Sequence, residues 1–339
     1  MKRKHKIKPD FTIDNINDIN NDPGARHALT GPTTALRSLA FSANTNSHLT
    51  APDNDDFTFH DGTDDYPFTI AFWANLTADG SDTNTRYLFG KYPTEYIAYY
   101  KRSTGQISLN LYDTSQDGGG TGVTTFTTAA TFGGGMLLST AFDTWTHIAM
   151  VYTPETSDDN NTEQVRFYKN GSPWMATQGT SNVNYDSMQN EANKFVIGDA
   201  TGWVGAPNRT IGSMSNFLMF KHDGQNNDAG TARSSVPMTD AEIEELYNLG
   251  QVMADYNNHS KGADLVGYWK MQEDVSSASE ITDYSPQSNH MTVIGSAVTT
   301  TDTDTALVRE KVILGPAPPQ LPLRVVIPGL SSLRTNPQK

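Results

Sequence analysis

The chain has 339 residues, a net charge of −14, only 36% apolar and 18% charged residues, and no cysteine. That length accommodates one large all-β domain or two smaller ones, and the missing cysteines exclude disulfides and thiolate metal sites. No apolar run approaches the length of a membrane helix, and none follows the basic residues 2–8, so neither a membrane partner nor a signal peptide is expected.

Charge is unevenly spread. Residues 1–36 hold six Lys/Arg against four Asp/Glu, residues 309–339 hold five against one, and the middle holds 13 against 33, a net of −20. An acidic body does not suit nucleic acid. Its basic ends suit acidic neighbours, copies of the same chain among them.

In chain order, residues 1–36 read as an N-terminal arm. Ile13, Ile16 and Ile19 recur at every third position, but the intervening Asn and Asp favour turns over a helix interior. The body begins with a short alternating strand, Arg37 to Ser42, then His48 to Pro52 and an acidic loop, Asp53 to Asp65. Tyr66 to Leu76 is a strong strand with Phe68, Ile70 and Phe72 on one face. Arg86–Lys91, Glu95–Tyr100 and Gln106–Tyr112 form a meander, and Gly118–Gly120 and Gly133–Gly135 mark loops.

A hairpin over residues 143–178 organises the centre. Trp145, His147, Ala149 and Val151 share one strand face and Ile148, Met150 and Tyr152 the other, both mostly apolar, as in an interior strand. His147 has no base or nucleophile evident beside it and is expected to be a packed core residue. The return strand ends at Asn170-Gly171, a pair suited to a two-residue turn with positive φ at both positions. Strands at Lys194–Gly198 and Arg209–Lys221 follow. Thr239-Asp-Ala-Glu242 is a capping box that opens a helix with Ile243, Leu246 and Tyr247 on one face and Gly250 as its stop. Leu265–Met271 and a last strand, Met291–Ile294, flank a turn-rich loop, Asp283–His290. Proline at 316, 318, 319, 322 and 328 then forbids a helix or a central strand, which leaves an extended apolar tail.

The ordered pieces Ser38–Ser42, Pro67–Trp73, Trp145–Ala149, Phe167–Gly171, Val196–Gly198 and the stretch around Thr239–Gly250 resemble the laminin-G-like branch of the concanavalin A-like lectin/glucanase fold, over about 37–250. The segment Leu265–Ile294 resembles an extension of such domains in tailed-phage virion proteins. The resemblance implies an all-β, concanavalin A-like jelly-roll β-sandwich with one short helix. Its family has a packed His at the place of His147, and an acidic pair soon after the glycine that matches Gly212. Here Ser215 and Asn216 follow Met214, so a carboxylate that the resemblance implies near a calcium site is missing.

Glycoside hydrolysis needs two carboxylates facing each other across the scissile bond. The strands at 145–152 and 209–221 carry no acid, and Glu95 stands alone on its own, so no catalytic residue and no enzyme activity is expected. No cofactor is expected either, with calcium as the one candidate: Asp64 and Asp65 close the first acidic loop and Asp199 follows a strand end, but calcium needs six or more converging oxygens. For sugars, Trp203 in a Gly/Pro loop and Tyr96 and Tyr99 are candidate stacking platforms.

The organisation expected is an N-terminal arm (1–36), a laminin-G-like sandwich (37–298) and a Pro-rich C-terminal arm (299–339). Ile313, Leu314, Leu321, Leu323, Val325 and Ile327 are the residues of that second arm expected to dock on a neighbour. Two functions follow. One is a non-enzymatic structural virion protein, a capsid decoration or surface component assembled in the host cytoplasm, whose partners are its own copies and other virion proteins. The other is a carbohydrate-binding lectin or receptor-recognition module for surface glycans.

Overall fold

A computed structural model describes residues 36–42, 47–77, 82–91, 95–103, 105–113, 122–127, 144–154, 164–178, 185, 187–199, 208–250, 255–273, 279–295 and 298–302. Residues 1–35 and the docking residues Ile313, Leu314, Leu321, Leu323, Val325 and Ile327 lie outside them, as does Trp203.

The first strands are β1 (Leu36–Phe41), β2 (His48–Ala51), β3 (Phe68–Leu76), β4 (Thr85–Lys91), β5 (Tyr96–Lys101), β6 (Ile107–Asp113) and β7 (Gly122–Thr127). The central hairpin gives β8 (Thr146–Thr153), β9 (Gln164–Lys169) and β10 (Ser172–Gln178). β11 (Phe195–Ile197), β12 (Gly212–Lys221), the helix α1 (Asp240–Leu249), β13 (Leu265–Trp269), β14 (Glu280–Ile281), β15 (Met291–Ile294) and β16 (Val298–Asp302) follow.

These strands form two antiparallel eight-stranded sheets. Sheet A runs β10-β9-β8-β3-β12-β1-β16, with β13 also paired to β12. Sheet B runs β14-β15-β2-β11-β4-β5-β6-β7. The architecture is the expected all-β jelly-roll sandwich with one helix. The alternating residues of β3, Phe68, Ile70 and Phe72, meet Phe89, Tyr96, Tyr100 and Leu109 of sheet B in one aromatic-rich core. β8 divides as its pattern requires: Ile148, Met150 and Tyr152 enter that core, while Ala149 and Val151 face the other side of sheet A. Asn170 and Gly171 both have positive φ, 51° and 75°, and Ser172 pairs directly with Lys169, so the turn is the two-residue kind the pair favours.

Three strands were not anticipated, one of them the two-residue β14 at the end of sheet B. β7 lies between the two glycine runs that mark loops, and β16 follows β15, which is therefore not the last strand. β16 pairs with β1 within residues the sequence assigned to the C-terminal arm. Both are edge strands, paired on one side only, and both are rich in threonine, so neither shows the apolar alternation of an interior strand.

Sheet A is covered on its outer face as well. Thr239 caps α1 in a reciprocal box with Glu242, and Ile243, Leu246 and Tyr247 are buried against the sheet, as the sequence predicts. Ile243 and Leu246 join Ala71, Val151, Leu218, Phe220 and Tyr268 in a second apolar layer, and Tyr247 packs with Trp73 and Trp145 in a third, smaller cluster. Gly171 is needed here: a Cβ would stand 2.8 Å from Cδ1 of Tyr247, besides requiring positive φ.

The segment after α1 completes both sheets: β13 joins sheet A, and β14 and β15 join sheet B through β2. Trp269, at the end of β13, is fully buried among Phe57, Phe195 and Phe217, with ring centroids 5.8–6.1 Å away. Its indole donates to the Asn289 carbonyl at 2.8 Å. The Asp283 carboxylate organises that loop by accepting from the amides of Tyr268, Ser285 and Asn289 and from the Ser285 hydroxyl. Replacing Trp269 by Ala is expected to cost about 3–5 kcal/mol in urea denaturation, since a large aromatic leaves a cavity that its rigid neighbours cannot fill. A loss under about 1 kcal/mol would place Trp269 outside the load of the fold.

Candidate functional site

On β5 the alternation decides which tyrosines are available. Tyr96, Ala98 and Tyr100 point into the core, so Tyr96 is not a surface platform: it is fully buried, and its hydroxyl donates to the Phe57 carbonyl at 3.0 Å. Ile97 and Tyr99 point outward and form a separate cluster with Tyr87 of β4 and Tyr112 of β6. Tyr87 and Ile97 are buried within it, while Tyr99 and Tyr112 are half-buried. The rings of Tyr87 and Tyr99 meet edge-on at 6.5 Å. Across the strands, Ser108 is paired with Tyr99 and Asn110 with Ile97, and the Asn110 amide donates to the Tyr112 hydroxyl at 3.3 Å. Half-exposed Lys101 follows Tyr99 on the same strand face.

The stretch that carries Trp203 begins and ends beside this face. Gly198 donates to the Leu88 carbonyl and Tyr87 donates to the Asn208 carbonyl, both at 2.7 Å. Trp203 itself lies outside the described residues. Tyr87, Tyr112 and Asn110 went unremarked as site residues because a strand with tyrosines at 96, 99 and 100 has aromatics on both faces; only the packed partner sheet shows which face is which.

The candidate calcium ligands are in different hands. Asp65 accepts from the hydroxyls of Tyr152 and Tyr185 and from the Met188 amide at 2.8 Å, which occupies both carboxylate oxygens. Asp64 is exposed, and its amide donates to the Asp61 carboxylate. Asp199 pairs with Arg209 at 2.8 Å and faces His48 at 3.8 Å. Among the described residues no group of three or more His, Asp or Glu is placed to hold a metal ion. Ser215, where the resemblance implies an acid, is fully buried opposite Trp73.

Two buried polar centres have the form of catalytic groups. Glu95, alone on its strand, meets Lys91 at 2.7 Å, and Lys91 also reaches Asp53 at 2.8 Å and Thr58 at 2.9 Å. Burial pushes the Glu95 carboxyl up to about 7, against the opposing pull of Lys91. Thr69, His222 and Asp264 form a relay, with hydroxyl to Nε2 at 3.1 Å and Nδ1 to carboxylate at 2.8 Å. A nucleophile needs a route to its substrate. Thr69 is fully buried beneath the second layer and His222 and Asp264 nearly so, and Lys91 and Glu95 are sealed in the same way. These are satisfied interior hydrogen bonds rather than reactive groups. His147 is fully buried against Trp73 and Tyr247, as the core reading expects.

Residues 43–223 match the family model of the concanavalin A-like lectin/glucanases superfamily. The chain belongs to this superfamily. The match ends before α1, so the helix and the C-terminal strands of both sheets lie beyond it. No curated protein matches the chain. Among solved structures, a protein of Bacteroides ovatus assigned as carbohydrate-binding aligns at 16% identity and a TM-score of 0.47, over 79% of this chain and 60% of its own. A heptameric SAP-like pentraxin from Limulus polyphemus aligns at 13% and 0.41, over 80% and 97%. The receptor binding domain of botulinum neurotoxin D aligns at 9% and 0.36, over 62% and 47%. Likeness this distant carries no argument about ligands.

The Glu95 centre predicts a pH dependence. A carboxyl with a folded pKa of about 7 and a lower unfolded one holds its proton more firmly when folded. Its contribution to stability is therefore complete below about pH 4.5 and is lost as pH rises through 7. Measured as the stability of the native protein minus that of Glu95→Gln, a fall of about 2–3 kcal/mol is expected between pH 4.5 and 8. A flat difference, or a rise, would show that Lys91 keeps Glu95 ionised.

Proposed function

We propose that this superfamily member is a non-enzymatic binding module that engages glycans on the outer face of sheet B, around Tyr99 and Tyr112. The observation that carries this reading is a pair of half-exposed tyrosines from neighbouring strands, held by buried Tyr87 and Ile97 and bordered by Asn110 and Lys101. Sugar rings bury their C–H faces on rigid aromatic rings while amide and ammonium groups take their hydroxyls, and each of these parts is present. Neither the Glu95 centre nor the Thr69–His222–Asp264 relay is open to a substrate, which supports binding over hydrolysis. The docking residues on which virion assembly would rest lie outside the described residues, so the assembly reading draws on the sequence alone.

The test is a glycan array followed by calorimetry on the best hit. Tyr99→Ala and Tyr112→Ala are each expected to weaken binding by about tenfold, roughly 1.4 kcal/mol, with little change in melting temperature because both rings are half-exposed. Binding that survives both substitutions, or no binding to any glycan, would remove this face from consideration. The reading includes no structural calcium, so a chelator is expected to leave the melting temperature unchanged; a fall of about ten degrees that calcium restores would contradict it.

A further inference from the structure

The layer between sheet A and α1 contains two histidines held neutral by their surroundings. His147 is fully buried between Trp73 of β3, at 5.4 Å, and Tyr247 of α1, at 5.8 Å between ring centroids. Neither of its ring nitrogens has a hydrogen-bonding partner. Its backbone is fixed on both sides by the turn: the amide donates to the Asn170 side chain and the carbonyl accepts from the Asn170 amide. His259 is also buried, and there the partners specify the tautomer. Its Nε2 donates to the Glu242 carbonyl of α1 at 2.9 Å, while Nδ1 accepts from the Lys261 amide at 3.0 Å. A second proton would set Nδ1–H against that amide N–H.

The charged groups around the two rings differ. For His147, Tyr247 is the titratable group packed on it from α1, and Trp73 and Asn170 from the sheet and turn are neutral. Lys169 of β9 is paired with Ile148 and so belongs to the opposite face. Burial alone acts on His147 and pushes its pKa down to about 3. His259 faces Glu245 at 3.4 Å, with Glu242, Asp264 and Lys261 close by. Burial still lowers its pKa, but the carboxylates oppose the shift, so His147 is the stronger of the two.

We infer that α1 is an acid-released latch over the outer face of sheet A, with His147 as its proton sensor. A proton on His147 has no partner while α1 is seated, and water reaches the ring once Tyr247 lifts away. α1 can leave without opening the sandwich, because the core between the two sheets is a cluster separate from the layer beneath the helix. Its departure removes Ile243 and Leu246 from the apolar layer they share with Ala71, Val151, Leu218 and Phe220, of which Met238, Tyr256, Leu265 and Tyr268 remain. The attachment of the helix to β9, by Tyr168 and Arg166 to Asp240 at 2.6 and 3.0 Å, lies at its first residue, two turns from Tyr247, so the opening breaks the bond at the far end, where the Tyr256 hydroxyl donates to the Gly250 carbonyl at 2.6 Å.

The test is hydrogen exchange of the full chain, read on peptides covering 240–250 and on β4–β5, from pH 7.5 to 4.5 and corrected for the intrinsic rate. In the native protein the opening of α1 is expected to rise about tenfold per pH unit below about 6.5, the range where a hydrated histidine gains its proton. At pH 4.5 the helix should exchange well ahead of β4–β5. His147→Phe, or His147→Gln should the phenylalanine variant not fold, is expected to lose most of that rise, leaving the share due to His259. The inference is overturned if the variant keeps the full rise, or if the helix and β4–β5 lose protection together, which would make the acid response global unfolding.

Discussion

The burial of Trp269 is the contact on which the rest depends. It lies at the end of β13, a strand of sheet A, yet stacks on Phe195 of sheet B and packs against the tilted ring of Phe57. Its indole N–H is satisfied by the Asn289 carbonyl. Asn289 in turn donates to Asp56 and to the Val266 carbonyl and accepts from Asn54. One ring and one asparagine thus tie residues 54–57 to a loop more than 200 positions later. The family match stops at residue 223, but both sheets take strands from the residues that follow, β13 beside β12 and β15 beside β2.

The second constraint is that sheet A is buried on both faces. An antiparallel sheet often leaves one face to water, with polar residues alternating outward. Here β8 and β12 are apolar on both sides because α1 and the segment after it cover the outer one. That covering creates a dry layer in which histidines lack solvent. It explains why the relay of Thr69, His222 and Asp264 is a structural hydrogen-bond chain and why His147 resists a proton. Sheet B differs: its outer face retains half-exposed Tyr99 and Tyr112. The proposed binding face and the proposed acid-sensitive face differ for one reason. Ligands need accessible groups, whereas a proton sensor needs inaccessible ones.

Much was legible in the sequence because the signals were local. Strand alternation placed the faces of β3 and β8, Asn170-Gly171 specified its turn, and the Thr239–Glu242 box with Ile243, Leu246 and Tyr247 specified both the start and the buried side of α1. The all-β sandwich follows from such pieces in order. The edge strands β7 and β16 did not show, since a strand paired on one side can be built from threonine. What the tertiary structure alone decided was orientation and company. Tyr96 and Tyr99 are three residues apart and chemically alike, but only the packing of sheet A against sheet B makes one a core residue and the other a surface one. Glu95 is solitary on its strand and accepts from the Thr58 hydroxyl 37 positions away, and His222 meets Asp264 from 42 positions away. Local pattern determines which side of an element is apolar; which groups share that side, and whether water reaches them, depends on contacts between residues distant in the chain, and no local pattern carries that information.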